Sequence, residues 1–314
     1  MSGDFLQLFF TIVSEGFMEK MLRDKKVIAL FILPALVIFV AFIPAPLISS
    51  LVLSFYKWNM LTPPRFIGLT NFIRMFTLDD VFIASIGHTF YYLALSVVLQ
   101  IPMSYFLAIL LTRGSWGEKT FRNLIFMPVT FSGTVVGLLF YFIYHRDTGL
   151  LNNIIRLFGN QEFSYAWLSE RASAMAAVCL AVAWQFVGYH MVIYITGITG
   201  IDNDTIDAAK IDGANAFQVA LHIITPLMKP VLNVSLVLIT VSSLKAFDAI
   251  YVMTGGGPMH ATEVMASHMY QRAFAAMDYG YACAIGLILF VFCIISTGLW
   301  GFIFRNTDRE ALSE

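Results

Sequence analysis

Charge is what this chain has least of. Only 12% of its 314 residues are Asp, Glu, Lys or Arg, about half the share of an ordinary soluble domain, while 59% are hydrophobic. So little polar surface does not wrap a water-soluble fold of this length, and the bilayer is the natural solvent. A net charge of -1 leaves no broad basic face and excludes nucleic acid as a partner. Cysteine is scarce as well. Cys179, Cys283 and Cys293 sit in apolar runs without a C-x-x-C pair, and read as small buried hydrophobes rather than as disulfide partners or metal ligands. The histidines are scattered over separate segments with no carboxylate-rich cluster, so no metal site is expected. The triple glycine at 255–257 is followed by Pro258 rather than by Lys-Ser or Lys-Thr, which excludes a phosphate loop. No nucleophile–base constellation can be assigned. A cleavable leader is not expected either, because the first apolar run continues too far and lacks a small-x-small site.

Long apolar runs are what the sequence does have. A spanning helix needs about 20 mainly apolar residues. Six stretches qualify, at 27–55, 84–112, 122–144, 173–199, 231–254 and 279–304. The bilayer admits helices or closed barrels, and alternating ten-residue strands are absent. The expected fold is therefore all-α, a polytopic membrane bundle of six transmembrane helices. Pro34, Pro44, Pro46, Pro102 and Pro128 are expected as tolerated kinks. Residues 1–26 form an N-terminal segment in which Phe5–Val13, too short to cross, reads as an interfacial helix. Residues 305–314 form a tail.

Lys20, Arg23, Lys25 and Lys26 precede the first span, and Arg113, Lys119, Lys210, Lys229 and Arg305 fall on the same side. By the positive-inside rule both termini and the loop 200–230 are cytoplasmic, and the loops 56–83, 145–172 and 255–278 face outward. None of these loops is long enough for a soluble catalytic domain. The energy source must be another chain or an ion gradient.

Polar groups within the spans mark cavities or helix contacts. The fifth span carries Ser242, Ser243, Lys245 and Asp248. The two charges are three residues apart, near one helical face, and each costs about 2.5–3.5 kcal/mol at mid-membrane. They either pair or face water in a path. Gln185 and Tyr189 share a face of the fourth span. An amide and a ring suit a hydroxylated substrate, and interhelical hydrogen bonding suits them equally. Thr130, Ser132, Gly133 and Thr134 follow Pro128 in the third. Gly255–Pro258 makes a tight exit from the fifth span, either a bare helix stop or a working outer loop.

The most informative stretch is 207–230, DAAKIDGANAFQVALHIITPLMKP. It reads as a short amphipathic helix started by Asp207, a turn at Gly213, and a second helix with Phe217, Leu221 and Ile224 at helical spacing. Small residues at the cytoplasmic surface suit docking against another protein. The pattern Asp207, Ala208, Ala209, then Asp212, Gly213, Ala214, then Ile223, Pro226, Leu227 and Pro230 resembles the signature of permease subunits of binding-protein-dependent ABC importers. Asp207 stands for the family's usual Glu, and Ala220 stands where an aromatic residue is common. Further segments resemble the carbohydrate-uptake branch, similar to the larger maltose-type or glycerol-phosphate-type permease. They are SFYKWN (54–59), FIGLTNFIRMF (66–76), the run 88–111, DAIYVMTGGGP (248–258) and YGYACAIG (279–286).

The resemblance implies a non-catalytic subunit of the bacterial cytoplasmic (inner) membrane, with alternating access for a sugar or oligosaccharide. Its implied partners are a second homologous permease, two ABC ATPase subunits, a soluble sugar-binding protein and membrane lipid. No cofactor is implied in this chain, since ATP and Mg would be bound by the ATPase. The coupling residues implied are Asp207, Ala208, Ala209, Asp212, Gly213 and Ala214. The substrate path implied is Val129, Gly133, Gln185, Phe186, Tyr189, Ser243 and Ala246. Gly256, Gly257 and Pro258 are the outer gate or binding-protein contact. The rival reading is an ion-coupled secondary transporter using Lys245 and Asp248.

Overall fold

A computed structural model describes residues 25–112 and 117–311. The expected interfacial helix at Phe5–Val13 and the charges Lys20, Arg23 and Arg113 lie outside the described residues.

Two compact units divide at residue 53. In the first, α1 (Lys25–Phe42) carries Pro34 within it and α2 (Pro44–Leu53) begins on Pro44. Proline is tolerated at a first helical position because its missing N–H would have no helical partner there.

The second unit opens with a two-stranded antiparallel ribbon, β1 (Tyr56–Lys57) against β2 (Arg65–Phe66), and a short helix α3 (Thr70–Thr77). Then come α4 (Asp80–Leu111), α5 (Glu118–Phe126), α6 (Gly133–Ile143), α7 (Leu150–Leu157) and α8 (Ala174–Thr199). The cytoplasm-assigned stretch folds as α9 (Asn203–Ile211) and α10 (Ala216–Leu227). The chain ends through α11 (Lys229–Leu244), α12 (Asp248–Met253), α13 (Met265–Tyr270) and α14 (Tyr279–Ala311).

Among the described residues four helices, counting Ile28–Leu53 as one, are long and apolar enough to cross a membrane. Two bent pairs bring the number to six. The third expected span is one of these pairs. It turns by 100° between α5 and α6, through a tight turn at Met127–Thr130 with Pro128 near its start. Ser132 then caps α6, its Oγ accepting from Val135 N at 3.3 Å. The second pair, α10 and α11, bends by 69°. The fifth span, expected to run unbroken over 231–254, ends instead at Leu244. Residues 245–247 leave the helix before α12 begins.

The helix pair in most extensive contact is α4 with α8. The buried face of α4 is Ser85, Thr89, Tyr92, Ser96, Gln100, Ser104 and Ala108, a stripe of mainly small and polar residues at helical spacing. In lipid the apolar side chains have nothing to gain by facing inward, so small and polar groups make the helix contact. Ser104 Oγ donates to Val187 O at 2.9 Å. Closer still, Gly188 of α8 lies against the backbone of Ile125, where an added Cβ would overlap the carbonyl. Gly188→Ala is expected to cost about 1–3 kcal/mol, the scale of overpacking. It should show as a lowered thermal midpoint of the detergent-solubilised protein, whereas an unchanged midpoint would deny the close approach.

Candidate functional site

Two broken helices meet mid-bundle. The start of α6 and the break after α11 face each other across one cavity of about 200 Å³. Asp248, the first residue of α12, stands against the start of α6, and a Cβ on Gly133 would be 3.1 Å from the Asp248 Cβ. A carboxylate there complements the exposed N–H groups of the α6 terminus, as Lys245 at the C-cap complements the carbonyls of α11. Of the two alternatives for Lys245 and Asp248, the ion pair does not form. The two lie on either side of a helix break, both exposed toward the cavity, and neither joins an ion pair within 4 Å among the described residues. No proline or glycine marks this break.

Of the seven path residues, Gly133, Gln185, Phe186, Ser243 and Ala246 line this cavity. Val129 and Tyr189 do not. Val129 is half-buried in the turn before α6. Tyr189 is exposed, with its ring against that of His190 at 5.2 Å, while Gln185 one turn earlier is buried. The two therefore do not line the same cavity. Gln185 Nε2 donates to Phe131 O at 2.9 Å, satisfying a carbonyl that the 100° bend removes from any helix. Sequence reasoning missed Tyr92, Gln100 and Phe247, which also line the cavity. Gln100 carried a usable signal as the lone amide of an apolar span.

The second predicted site is on the surface at the far end of α8. The helix starts earlier than expected: Asp202, not Asp207, caps α9, its Oδ1 accepting from Asp204 N at 3.1 Å, and Asp207 lies inside the helix. The helix stops on Gly213, at φ 87°, with Gly213 N bonded to Lys210 O and Ala214 N to Ala209 O, both at 3.0 Å. This pair of bonds closes a helix end around a left-handed residue that only glycine adopts freely. Asn215 caps α10 reciprocally with Gln218. The salt bridge Asp207–Lys210, 2.8 Å long, is exposed. Val219, Ile224 and Met228 are buried against Met191, Tyr194, Ile195 and Ile198 of α8 and Ala108 of α4. On the outside Ile211 is 86% exposed and Phe217 71%, two large apolar side chains flanking the Gly213 turn. Phe217 belongs to the predicted apolar set; Ile211 does not. Ala220 lines a separate cavity of about 500 Å³ with Thr112 and Lys210.

At the opposite end of α4, Asp79 caps the helix by accepting from Phe82 N at 3.0 Å. Burial alone would raise its carboxyl. Hydrogen bonds from Tyr281, His268 and Phe82 N outweigh that and hold it at about 2. Arg272 Nη2 adds a contact at 2.8 Å. Because the folded value is depressed, the cap's contribution is complete above the ordinary range near 3.8 and is lost only as pH falls toward 2.

A bent-helix bundle with a cavity at its helix breaks, lined by amides, hydroxyls and aromatic rings, and a capped helix–turn–helix at one end suits a membrane permease. Residues 100–309 match the family described as the binding-protein-dependent transport system inner membrane component, and the chain belongs to it. The chain is similar to the probable ABC transporter permease protein YurN of Bacillus subtilis, 35% identical over 92% of this chain and 100% of that one. It is similar to the diacetylchitobiose uptake system permease protein NgcF of Streptomyces coelicolor, 29% identical over 87% of this chain and 80% of that one. In fold it matches a chain of the bacterial alginate ABC transporter crystallised with an alginate pentasaccharide-bound periplasmic protein. That match has a TM-score of 0.79 at 21% identity and covers 92% of this chain and 97% of that one. This protein is thus a multi-pass inner-membrane permease of a binding-protein-dependent ABC importer, the membrane component and not a catalytic subunit.

Proposed function

We propose that the cavity between the α6 start and the α11–α12 break is the transport site for a sugar or oligosaccharide. The observation that carries this reading is the lining itself. Gln100, Gln185, Ser242 and Ser243 supply donors and acceptors for hydroxyls, and Tyr92, Phe186 and Phe247 supply faces for a pyranose ring. Two relatives or neighbours named for carbohydrates, diacetylchitobiose and alginate, support the same class. Gly133 and Ala246 leave room where larger side chains would narrow the path.

In this reading both termini and the α9–α10 turn are cytoplasmic, and the Gly255–Pro258 turn faces outward. An ABC ATPase docks on Asp207, Ala208, Ala209, Asp212, Gly213 and Ala214, with Ile211 and Phe217 as its apolar contacts. ATP and Mg stay with that subunit. The buried residues Val219, Ile224 and Met228 tie the docking turn to α4 and α8, so displacement of the turn moves both helices as a packed body. A second permease completes the path, and a soluble binding protein delivers the sugar.

The test is uptake by the assembled transporter in vesicles. ATP-dependent uptake of a neutral oligosaccharide is expected. Phe186→Ala should raise the half-saturating sugar load about tenfold, the scale of one lost ring contact, with ATPase docking intact. Uptake that runs on an ion gradient with no ATPase present sinks the reading.

A further inference from the structure

The helix after α6 keeps its polar side chains in and leaves an apolar stripe out. In α7 Asn152 is fully buried, and its Nδ2 donates to Arg146 O at 2.7 Å and to Tyr165 O at 2.9 Å. Its Oδ1 accepts from Trp167 Nε1 at 2.8 Å. Arg156 donates from Nε to Phe163 O at 2.8 Å and from Nη1 to Asp147 O at 2.9 Å. On the opposite face Leu150 and Ile154 are exposed, and Leu157 and the capping Phe158 are 85% and 89% exposed. The four recur at i, i+4, i+7 and i+8, which makes one continuous apolar stripe. A helix with water on that side would present the other face.

The depth of α7 is set by its link to α6. Only residues 144–149 separate the two helices. Gly149 N bonds to His145 O at 2.9 Å, and a Cβ on Gly149 would overlap that carbonyl. With Arg146 O bound to Asn152 as well, α7 is held at the end of the bent pair α5–α6, one of the candidate spans. Beside it the Trp167 ring packs 4.8 Å from that of Tyr165 and 6.4 Å from that of Tyr144. Trp and Tyr collect at the membrane–water boundary, and amphipathic helices lie in that plane. The polar side chains of α7 direct their hydrogen bonds into the chain itself. What the helix offers outward is apolar contact, which is what acyl chains take.

We propose that α7 lies in the bilayer interface, with Leu150, Ile154, Leu157 and Phe158 among the lipid acyl chains, and that it anchors the adjoining end of α6 at a fixed depth. The other end of α6 begins at the cavity, with Gly133 against Asp248. Lipid at one end of α6 thus gives the cavity wall a fixed reference while α4 and α8 move as a packed body. The lipid contact follows from the membrane class alone, and the anchoring role rests on the transport reading above.

Nitroxide labels test the contact in the assembled transporter, reconstituted in vesicles of phosphatidylethanolamine and phosphatidylglycerol. Labels on Ile154→Cys, Leu157→Cys and Phe158→Cys should collide with oxygen about threefold more often than with an aqueous nickel chelate, as lipid-buried sites do, with the parent chain as background. Nickel-favoured collisions at Leu157→Cys and Phe158→Cys overturn the lipid contact. Shielding from both reagents assigns the stripe to another protein chain, and nickel collisions that fall only when the binding protein is added assign it to that partner; either result also overturns it. As a label-free check, the unmodified transporter in vesicles doped with a photoactivatable phospholipid should give adducts within 150–158, and adducts confined to other helices count against the contact. For the anchor, Leu157→Asp combined with Phe158→Asp should lower initial uptake about fivefold at undiminished ATPase capture, since charge is costly where acyl chains lie. Phe158→Trp suits the interface and should retain uptake. Unchanged uptake in the double variant overturns the anchor. A wild-type transporter that moves no sugar defeats the transport reading, while the label ratios still decide the lipid contact.

Discussion

Gly213→Val is expected to cut capture of the ATPase subunit at least tenfold while the chain still inserts and folds. Left-handed backbone costs an ordinary L residue about 1–2 kcal/mol, and a β-branched side chain resists it further. The φ of 87° at Gly213 is needed for both hydrogen bonds that end α9. Inside the chain itself the new side chain meets nothing, since a Cβ at this position has no neighbour within 4 Å. The loss therefore reports on the turn and its partner and not on the core. Gly213→Asn, which tolerates the left-handed region, should retain most of the capture. Phe217→Asp leaves the turn intact and removes an apolar anchor, and a loss of about 2 kcal/mol, near thirtyfold, is the scale of a docking hot spot. Capture of the ATPase by detergent-solubilised variants measures all three. Wild-type capture by Gly213→Val would end the coupling assignment.

The second large effect concerns Lys245 and Asp248. Had they been a simple intramembrane pair, exchanging them would restore function. The two instead face the cavity from opposite sides of a helix break, each beside a helix terminus of complementary charge. Exchange puts a cation at the start of α6 and an anion on the last carbonyls of α11, both unfavourable. Lys245→Ala and Asp248→Ala should each lower uptake at least tenfold, and the exchanged double variant should remain at or below the singles. Initial rates of uptake decide it. Recovery in the exchanged variant would show that the charges act only on each other.

What the sequence disclosed and what it hid divide along physical lines. The turn at Gly213 was legible because its parts are local, a glycine at a left-handed position with small residues next to it, whereas the helix start was not, since Asp202 and not Asp207 caps α9. The apolar runs were legible because a bilayer demands them. A run, however, carries no record of its direction, so Pro128 announced a kink in the third span but not a turn of 100° between α5 and α6. The break at 245–247 has no breaker residue, and Phe247 within it packs its ring against those of Tyr251 and Tyr270, partners that helical spacing alone does not name. Tyr189 does not line the cavity that Gln185 lines, because helical spacing relates two side chains to each other and does not say which neighbouring helix they meet.

Ile211 and Phe217 also bear on how the protein has to be made. With the proposed orientation, each copy that reaches the membrane alone displays two large apolar side chains to the cytosol, the kind of surface that chaperones and quality-control proteases recognise. On the proposed docking, subunit stoichiometry is expected to be enforced after synthesis, with surplus permease the more readily destroyed partner. Heterologous production should yield more intact chain when the ATPase is made in the same cell.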